Sequence, residues 1–260
     1  MQDRGPAAYI AEFIGTLLLV FFITAAVSVY VAEPTRLNPN PFIDFSVIGL
    51  VHVFVLFVLI QTLAVVSGAH FNPAVTVALT ALRQIKPPDA AIYVLAQLAG
   101  GVGGALLTKA ILLDEGKAEN YGAVGVSDVI NGDIFPGMVV EALGTFFLLW
   151  AIIGVAVNPR ATKDWAAFAI GCALGMAVMV FAPLTGAGFN PARAFGPALV
   201  SGEWGGVWPY LVGPIVGSLL AAGVYRFILE PGGLPPTEPP EHVRPPVPKR
   251  STPTSDKPAS

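Results

Sequence analysis

A seven-residue segment occurs twice in this chain, once in each half and almost unchanged. It reads Gly-Ala-His-Phe-Asn-Pro-Ala at residues 68–74 and Gly-Ala-Gly-Phe-Asn-Pro-Ala at residues 186–192. Asn favours the N-cap of a helix, Pro is tolerated at the first helical position because the N–H it lacks would be unpaired there, and Ala continues a helix well. Each copy therefore predicts a helix start. The residues are Asn72, Pro73, Ala74 and Asn190, Pro191, Ala192.

Most of the remaining chain has the composition of a membrane protein, since 54% of its residues are hydrophobic and 12% are charged. A helix needs about 20 apolar residues to cross the hydrocarbon core of a bilayer. The first apolar run is much longer than a signal-peptide core of roughly 7 to 15 residues, so it also counts as a span. The predicted spans are residues 6–32, 45–66, 90–113, 135–157, 165–183 and 207–229.

Two shorter apolar segments, residues 73–83 and 191–201, begin at the repeated motif. A helix of this length measures roughly 16 Å, about half of a hydrocarbon core of about 30 Å. Each segment can enter the membrane but cannot cross it. Irregular backbone is not tolerated against lipid, so the Gly-rich approaches must be buried in protein or line a water-filled cavity. The sequence therefore predicts a cavity at mid-membrane.

The halves also match outside this motif. Glu-Phe-Ile-Gly-Thr at residues 12–16 parallels Glu-Ala-Leu-Gly-Thr at 141–145, and residues 93–100 parallel 210–217. Each half holds an odd number of spans, so the second half is inverted and the short helices enter from opposite faces, with their Asn-capped ends meeting near the midplane. We predict an all-α membrane protein with six transmembrane helices, two re-entrant half-helices and an inverted internal repeat.

The predicted membrane domain covers residues 1–230, with repeat one at about 6–113 and repeat two at about 135–229. Residues 231–260 contain ten Pro and no aromatic residue. This segment cannot bury a core and is predicted to be a disordered cytoplasmic tail. Binding of a partner by its Pro runs is the alternative.

The distribution of Lys and Arg predicts the orientation. With a cytoplasmic N-terminus, ten of these residues lie on the cytoplasmic side and four on the outer side, which favours both termini inside. The N-terminus does not resemble a transit peptide, so we expect the plasma membrane, specifically a bacterial inner membrane. The ten are Arg4, Arg83, Lys86, Arg160, Lys163, Arg226, Arg244, Lys249, Arg250 and Lys257, and the four are Arg36, Lys109, Lys117 and Arg193.

The opposed half-helix N-termini would place positive dipole ends in the cavity and repel cations. If each cap oxygen accepts a bond from its own helix, the NH2 groups of Asn72 and Asn190 stay free to donate to a solute. Donors at the centre flanked by backbone carbonyls suit a small neutral molecule that both donates and accepts. The predicted pore carbonyls belong to Gly68, Ala69, His70, Gly186 and Gly188.

With its motifs Ser-Gly-Ala-His-Phe-Asn-Pro-Ala at 67–74 and Gly-Phe-Asn-Pro-Ala-Arg at 188–193, the chain resembles the aquaporin and glycerol-facilitator family, the major intrinsic proteins. The resemblance covers roughly residues 6–229. It implies a passive water pore in each subunit of a homotetramer in the lipid bilayer, closed to protons and ions. Ammonia, urea and hydrogen peroxide are expected as further permeants.

The resemblance also implies a selectivity filter at four positions counted from the two motifs: His52, Val178, Ala187 and Arg193. Water-selective members typically have Phe, His, a small residue and Arg there. The set in this chain looks more like that of plant tonoplast-type members, which implies a wider constriction. Glycerol facilitators usually carry Asp after the motif Arg, where this chain has Ala194. A glycerol facilitator is the alternative within the family.

Several of these residues have a competing structural interpretation. Arg193 would pair with Glu203 at the outer rim, and His52 would be a core histidine. Glu12 and Glu141 are either proton-coupling carboxylates or acceptors for the re-entrant turns, and their symmetric placement favours the second role.

Two other classes of protein compete with a channel. An ion-coupled secondary transporter also has inverted repeats and broken helices, but the Asn pair supplies donors rather than cation ligands. A membrane enzyme is disfavoured because neither a metal-spaced cluster nor a nucleophile arrangement is apparent. No cofactor, metal or nucleic-acid partner is expected.

Glycine pairs spaced by four residues predict close packing of helices within one subunit. They are Gly100 and Gly104, Gly171 and Gly175, and Gly213 and Gly217.

Overall fold

The computed structural model describes residues 5–31 and 45–230, and within them every regular element is helical. Six helices are long and apolar enough to cross a membrane. They are α1 (Gly5–Tyr30), α2 (Phe45–Ser67), α4 (Pro87–Ile111), α6 (Ile134–Ile152, continued by a π-helical turn at Ile153–Val157), α7 (Ala166–Thr185) and α9 (Trp208–Val224, continued by a π-helical turn at Tyr225–Leu229). The predicted all-α class and the spans are confirmed, with ends displaced by up to three residues.

The described residues also form three shorter α-helices, the half-helices α3 (Pro73–Ala81) and α8 (Pro191–Ser201), and α5 (Leu113–Ala118), and two 3₁₀ turns, Asn120–Gly122 and Asp128–Ile130. The first half-helix ends before the predicted Arg83. Arg83 adopts a left-handed φ of 59°, and the N–H of Gln84 bonds back to the carbonyl of Leu79. This pattern closes a helix C-terminus.

The helices of the two repeats pack in the same way, α1 against α4 and α6 against α9, while α2 packs against α7 across the repeats. Small residues permit these contacts. A Cβ on Gly100 would lie 2.5 Å from the carbonyl oxygen of Phe13, and one on Gly217 would lie 2.0 Å from that of Ala142. The predicted intrachain role of the glycine pairs is confirmed.

The half-helices connect the two repeats. Helix α3 packs against α9 of the second repeat, and α8 packs against α4 of the first. Each half-helix is therefore seated largely by the opposite repeat. The tail at 231–260 and the charges assigned to Arg4, Arg36, Arg244, Lys249, Arg250 and Lys257 lie outside the described residues.

Candidate functional site

A cavity of about 390 Å³ runs between the two repeats. It is lined by mostly apolar residues of α1, α2, α6 and α7, and by residues of the two half-helices and of the turns before them. Of the predicted filter and pore-carbonyl residues, Val178, Gly186 and Ala187 do not line it, and Val178 and Ala187 are each 1% exposed. The other predicted site residues outside its lining are Pro73, Ala74, Pro191, Ala192, Glu12 and Glu141. The predicted residues that do line it are His52, Gly68, Ala69, His70, Asn72, Gly188, Asn190 and Arg193.

Asn72 and Asn190 cap the half-helices as the motif predicts. The side-chain oxygen of Asn72 accepts from Ala74 N at 2.9 Å, and that of Asn190 accepts from Ala192 N at 2.9 Å. Both carbonyl groups lie at the starts of their own helices, where the N–H groups lack intrahelical partners.

The side-chain NH2 groups of the two cap residues form hydrogen bonds between the repeats. Asn72 Nδ2 donates to Phe189 O at 2.9 Å, and Asn190 Nδ2 donates to Phe71 O at 2.8 Å. The sequence reasoning left both hydrogens of each NH2 free for a solute. Since one is used between the repeats, one N–H of each Asn remains for the cavity.

The turns before the half-helices are strained in matching positions. Ala69 and Phe71 have φ values of 53° and 49°, and Ala187 and Phe189 have values of 52° and 50°. Left-handed φ at a non-Gly residue costs on the order of 1 to 3 kcal/mol and persists only where the surroundings impose it. Each turn must therefore be held by other groups.

Glu12 holds the first turn. Its carboxyl oxygens accept from Ser67 Oγ at 2.6 Å, His70 N at 3.0 Å, Phe71 N at 2.7 Å and Gln97 Nε2 at 2.8 Å. The side chain is fully buried in α1. It supplies partners to backbone N–H groups that a strained turn cannot pair with its own carbonyls.

Glu141 does the same in α6 for the second turn. It accepts from Thr185 Oγ1 at 2.7 Å, Gly188 N at 2.9 Å and Phe189 N at 2.6 Å. Both carboxyl groups are therefore occupied by the turns, an arrangement that supports the structural role over proton coupling.

Two tyrosines complete this support and were missed by the sequence reasoning. Tyr93 donates its hydroxyl to Ser67 O and Tyr210 donates to Thr185 O, each at 2.7 Å. The parallel between residues 93–100 and 210–217 was recognised only as a sign of duplication. The signal available in the sequence was a Tyr at the same place in both copies, and both side chains are fully buried in the structure.

The glycines of the two Glu-x-x-Gly-Thr segments make room for the turns. A Cβ on Gly15 would lie 2.0 Å from the ring of Phe71, and one on Gly144 would lie 2.1 Å from the ring of Phe189. Each segment thus provides both the acceptor for its turn and the space for the aromatic ring before the cap.

His52 and Arg193 bring opposite hydrogen-bonding groups to the cavity. His52 Nδ1 lies 2.8 Å from Ile48 O. Because a carbonyl only accepts, we assign the proton of the neutral ring to Nδ1, which leaves Nε2 as an acceptor. Nε2 of His52 and Nε of Arg193 are both buried without a hydrogen-bond partner among the described residues.

Arg193 is anchored at its other end. Nη1 donates to Gly122 O at 2.7 Å. Among the residues that the structure describes, Arg193 forms no ion pair with Glu203, which was the alternative interpretation. The backbone N–H of Glu203 donates to Ser201 Oγ. The guanidinium is thus held beside the cavity.

A profile of the family described as "Major intrinsic protein" matches residues 5–225. The chain belongs to the major intrinsic protein family. Nodulin-26 from Glycine max is 38% identical over 219 residues, which cover 84% of this chain and 76% of that protein. Probable aquaporin TIP2-2 from Oryza sativa subsp. japonica is 36% identical over 226 residues, covering 85% and 86%.

A solved structure shares the fold. The X-ray structure of the aquaglyceroporin from Plasmodium falciparum has a TM-score of 0.73 at 23% identity, over 86% of this chain and 97% of that chain. The family recognised from the Asn-Pro-Ala repeats is confirmed. The likeness of the filter to tonoplast-type members stays a prediction.

The inverted repeats of this major intrinsic protein differ in one polar network. Gln97 Nε2 donates to Thr76 Oγ1 at 2.9 Å, and Thr76 Oγ1 lies 3.1 Å from His70 Nδ1. At the positions of Thr76 and His70 the second repeat has Ala194 and Gly188. The second repeat therefore has no counterpart of the His70 imidazole in the cavity lining.

Lys163 lies at the end of the cavity near the loop between α6 and α7. Its ammonium group donates to the carbonyls of Val155, Ala156 and Asn158 at 3.1, 2.9 and 2.8 Å. Burial lowers the pKa of Lys163 below its ordinary value. Among the described residues that line the cavity, Lys163 and Arg193 carry the charges, and Lys163 was not selected as a site residue from the sequence.

Proposed function

We propose that this protein is a passive channel that conducts water through the cavity between its repeats and excludes protons and ions. The crossed Asn72 and Asn190 pair carries the proposal. It holds two half-helix N-termini against each other, so their positive dipole ends face one point of the path. The remaining N–H groups donate to a passing oxygen, and a cation meets unfavourable charge.

The proposed filter consists of His52, Val178, Ala187 and Arg193. His52 Nε2 accepts and Arg193 Nε donates, so a permeant that offers both a donor and an acceptor can replace its water partners there. Val178 and Ala187 contribute small apolar groups. This combination favours water together with ammonia, urea and hydrogen peroxide.

We further propose that Gly68, Ala69, His70, Gly186 and Gly188 present pore carbonyls, and that Glu12 and Glu141 support the turns that carry them. The hydrogen bonds to both carboxyl groups support the second statement. Four of the five carbonyl residues line the cavity, which supports the first.

We propose that the protein is a homotetramer in a bacterial inner membrane and that both termini lie on the cytoplasmic side. Large apolar side chains on α1 and α2 are exposed in the single chain, among them Phe22, Phe54 and Val58, which supports contact with lipid or with neighbouring subunits. The loops on the N-terminal side of the bundle carry Arg83 and Arg160, consistent with the charge rule for a cytoplasmic face.

Stopped-flow light scattering on proteoliposomes tests the function. We expect an osmotic jump to shrink them much faster than empty liposomes while an imposed pH gradient persists, and urea, ammonia and hydrogen peroxide to cross faster than in empty liposomes. Water flux equal to that of empty liposomes, with inserted tetramers demonstrated, would contradict the channel. Flux that requires a coupling ion would favour a transporter, and rapid glycerol entry would favour a glycerol facilitator.

A further inference from the structure

A short turn outside the helix bundle holds the filter arginine. The 3₁₀ turn Asn120–Gly122 lies between α5 and α6, and it contacts α1, α4, α5 and α8. Its three residues all have left-handed φ values, 49° at Asn120, 53° at Tyr121 and 74° at Gly122. Successive left-handed residues that include two non-Gly residues require strong external constraint.

The conformation directs one carbonyl to the filter. Gly122 O accepts from Arg193 Nη1 at 2.7 Å, and the Arg193 side chain is buried. A Cβ on Gly122 would lie 2.9 Å from Thr24, so a side chain at this position would clash with α1. The position of the Gly122 carbonyl therefore depends on the contacts that hold the turn against the helices.

The side chain of Tyr121 holds the turn against the helices. Its side chain is buried although the turn connects two helices at the end of the bundle. Its ring fills the space left by Gly116, where a Cβ would lie 2.7 Å from the ring. On α4, Lys109 Nζ lies 5.1 Å from the ring centroid, within the range of a cation–π contact.

We propose that Tyr121 is a positioning residue for solute selection, acting through Gly122 on Arg193. The inference rests on the proposed function, because it takes Arg193 as part of the filter. While Tyr121 is seated, Nη1 is engaged by Gly122 and Nε faces the cavity. When the contacts of the Tyr121 ring are lost, the Gly122 carbonyl moves away from Arg193 and the guanidinium can rotate. The proposed filter then becomes wider and less uniform.

The test compares Tyr121→Ala with Tyr121→Phe in proteoliposomes at matched protein density. Phe keeps the ring and its contacts with Gly116 and Lys109, so it should behave as the unaltered protein. Ala removes them and should raise the ratio of urea to water permeability by about two- to tenfold, the effect of one lost hydrogen bond. Tyr225→Ala is the matched control, since it removes another buried tyrosine, in the π-helical turn that continues α9 at the opposite end of the bundle.

A merely structural role for Tyr121 would lower stability and flux of all solutes together. Gly116→Ala provides a second route if Tyr121→Ala does not assemble, because the added methyl group displaces the ring while the tyrosine remains. It should shift the urea-to-water ratio in the same direction. An unchanged ratio in whichever of the two assembles overturns the inference.

Combining Tyr121→Ala with Arg193→Ala shows whether the two residues act together. If Tyr121 acts through Arg193, the double variant should have the same solute ratio as Arg193→Ala alone. Independent, multiplying effects would overturn the inference. A changed ratio in Arg193→Ala with none in Tyr121→Ala refutes the inference alone, whereas no change in either refutes the filter itself.

Discussion

Asn190 donates a side-chain N–H to the backbone carbonyl of Phe71, 119 residues earlier in the chain, over 2.8 Å. The reciprocal bond joins Asn72 to Phe189. Each cap therefore stabilises its own helix through its oxygen and the turn of the other repeat through its nitrogen. This exchange fixes the distance between the two half-helix ends.

Asn190→Asp should convert the centre of the path from a cation barrier into a cation-attracting site. The carboxylate still caps α8, but it cannot donate to Phe71 O and it adds negative charge beside the dipole ends. We expect a faster proton or potassium leak and slower water flux, measured with pH-sensitive and potential-sensitive dyes in proteoliposomes. Asn158→Asp is the control, because the side-chain oxygen of Asn158 accepts from Arg160 N in the loop between α6 and α7, away from the half-helix ends. Equal leak in both variants would refute this role for Asn190.

Glu141→Gln should destabilise the second re-entrant turn. In the native protein the two carboxyl oxygens of Glu141 accept from three donors of the turn, one O–H and two backbone N–H groups. The Gln side chain would replace one of these acceptor oxygens with an NH2 group, which faces a donor and cannot accept from it. Each buried group left without a partner costs about 1 to 3 kcal/mol, so we expect a lower Tm in detergent. Exposed Glu203→Gln should leave the Tm unchanged. A coupled proton flux that disappears in Glu141→Gln without loss of stability would instead restore the proton-coupling interpretation.

Val178→His should narrow the proposed filter. In the proposed filter, the imidazole of the variant is larger than the Val side chain and adds a polar group. Urea flux should therefore fall more than water flux, because size exclusion acts most strongly on the larger solute. Flux of both solutes is measured by stopped-flow light scattering on the same vesicles, with Val180→His on the exposed face of α7 as the control. A proportional loss of both fluxes would remove Val178 from the filter.

Mercurials should inhibit Ala187→Cys strongly and the unaltered protein weakly. Cys172 does not line the cavity, whereas a thiol at position 187 would stand at the proposed filter. The measurement is water flux before and after a mercurial and again after a thiol reductant. Rapid inhibition of the unaltered protein that is absent from Cys172→Ser would show that Cys172 has access to the path.

Lys163 should make stability depend on pH in the alkaline range. Because burial lowers its pKa in the folded state, the folded protein binds fewer protons than the unfolded chain between the two pKa values. The stability contributed by Lys163 therefore increases as pH rises through that interval. The difference in Tm between the unaltered protein and Lys163→Met should change in this direction, with Lys117→Met on α5 as the control. A difference independent of pH would contradict the prediction.

Local patterns were sufficient for much of the fold. Apolar length predicted the spans, and the Asn-Pro-Ala chemistry predicted both half-helix starts, since capping depends on neighbouring residues. The recurrence of Glu12 and Glu141 predicted acceptors for two turns. In contrast, the early end of α3 depended on a left-handed Arg83, a conformation that sequence preference does not favour.

The sequence by itself determined the membrane class, the inverted duplication, the two capped half-helices and the family, because these follow from composition and from short repeated motifs. The tertiary structure alone decided that Asn72 and Asn190 exchange their amide groups between repeats, that Tyr93 and Tyr210 support the turns, and that Gly122 anchors Arg193. These contacts join residues far apart in the chain. Their geometry depends on how whole helices approach one another, which no local preference specifies.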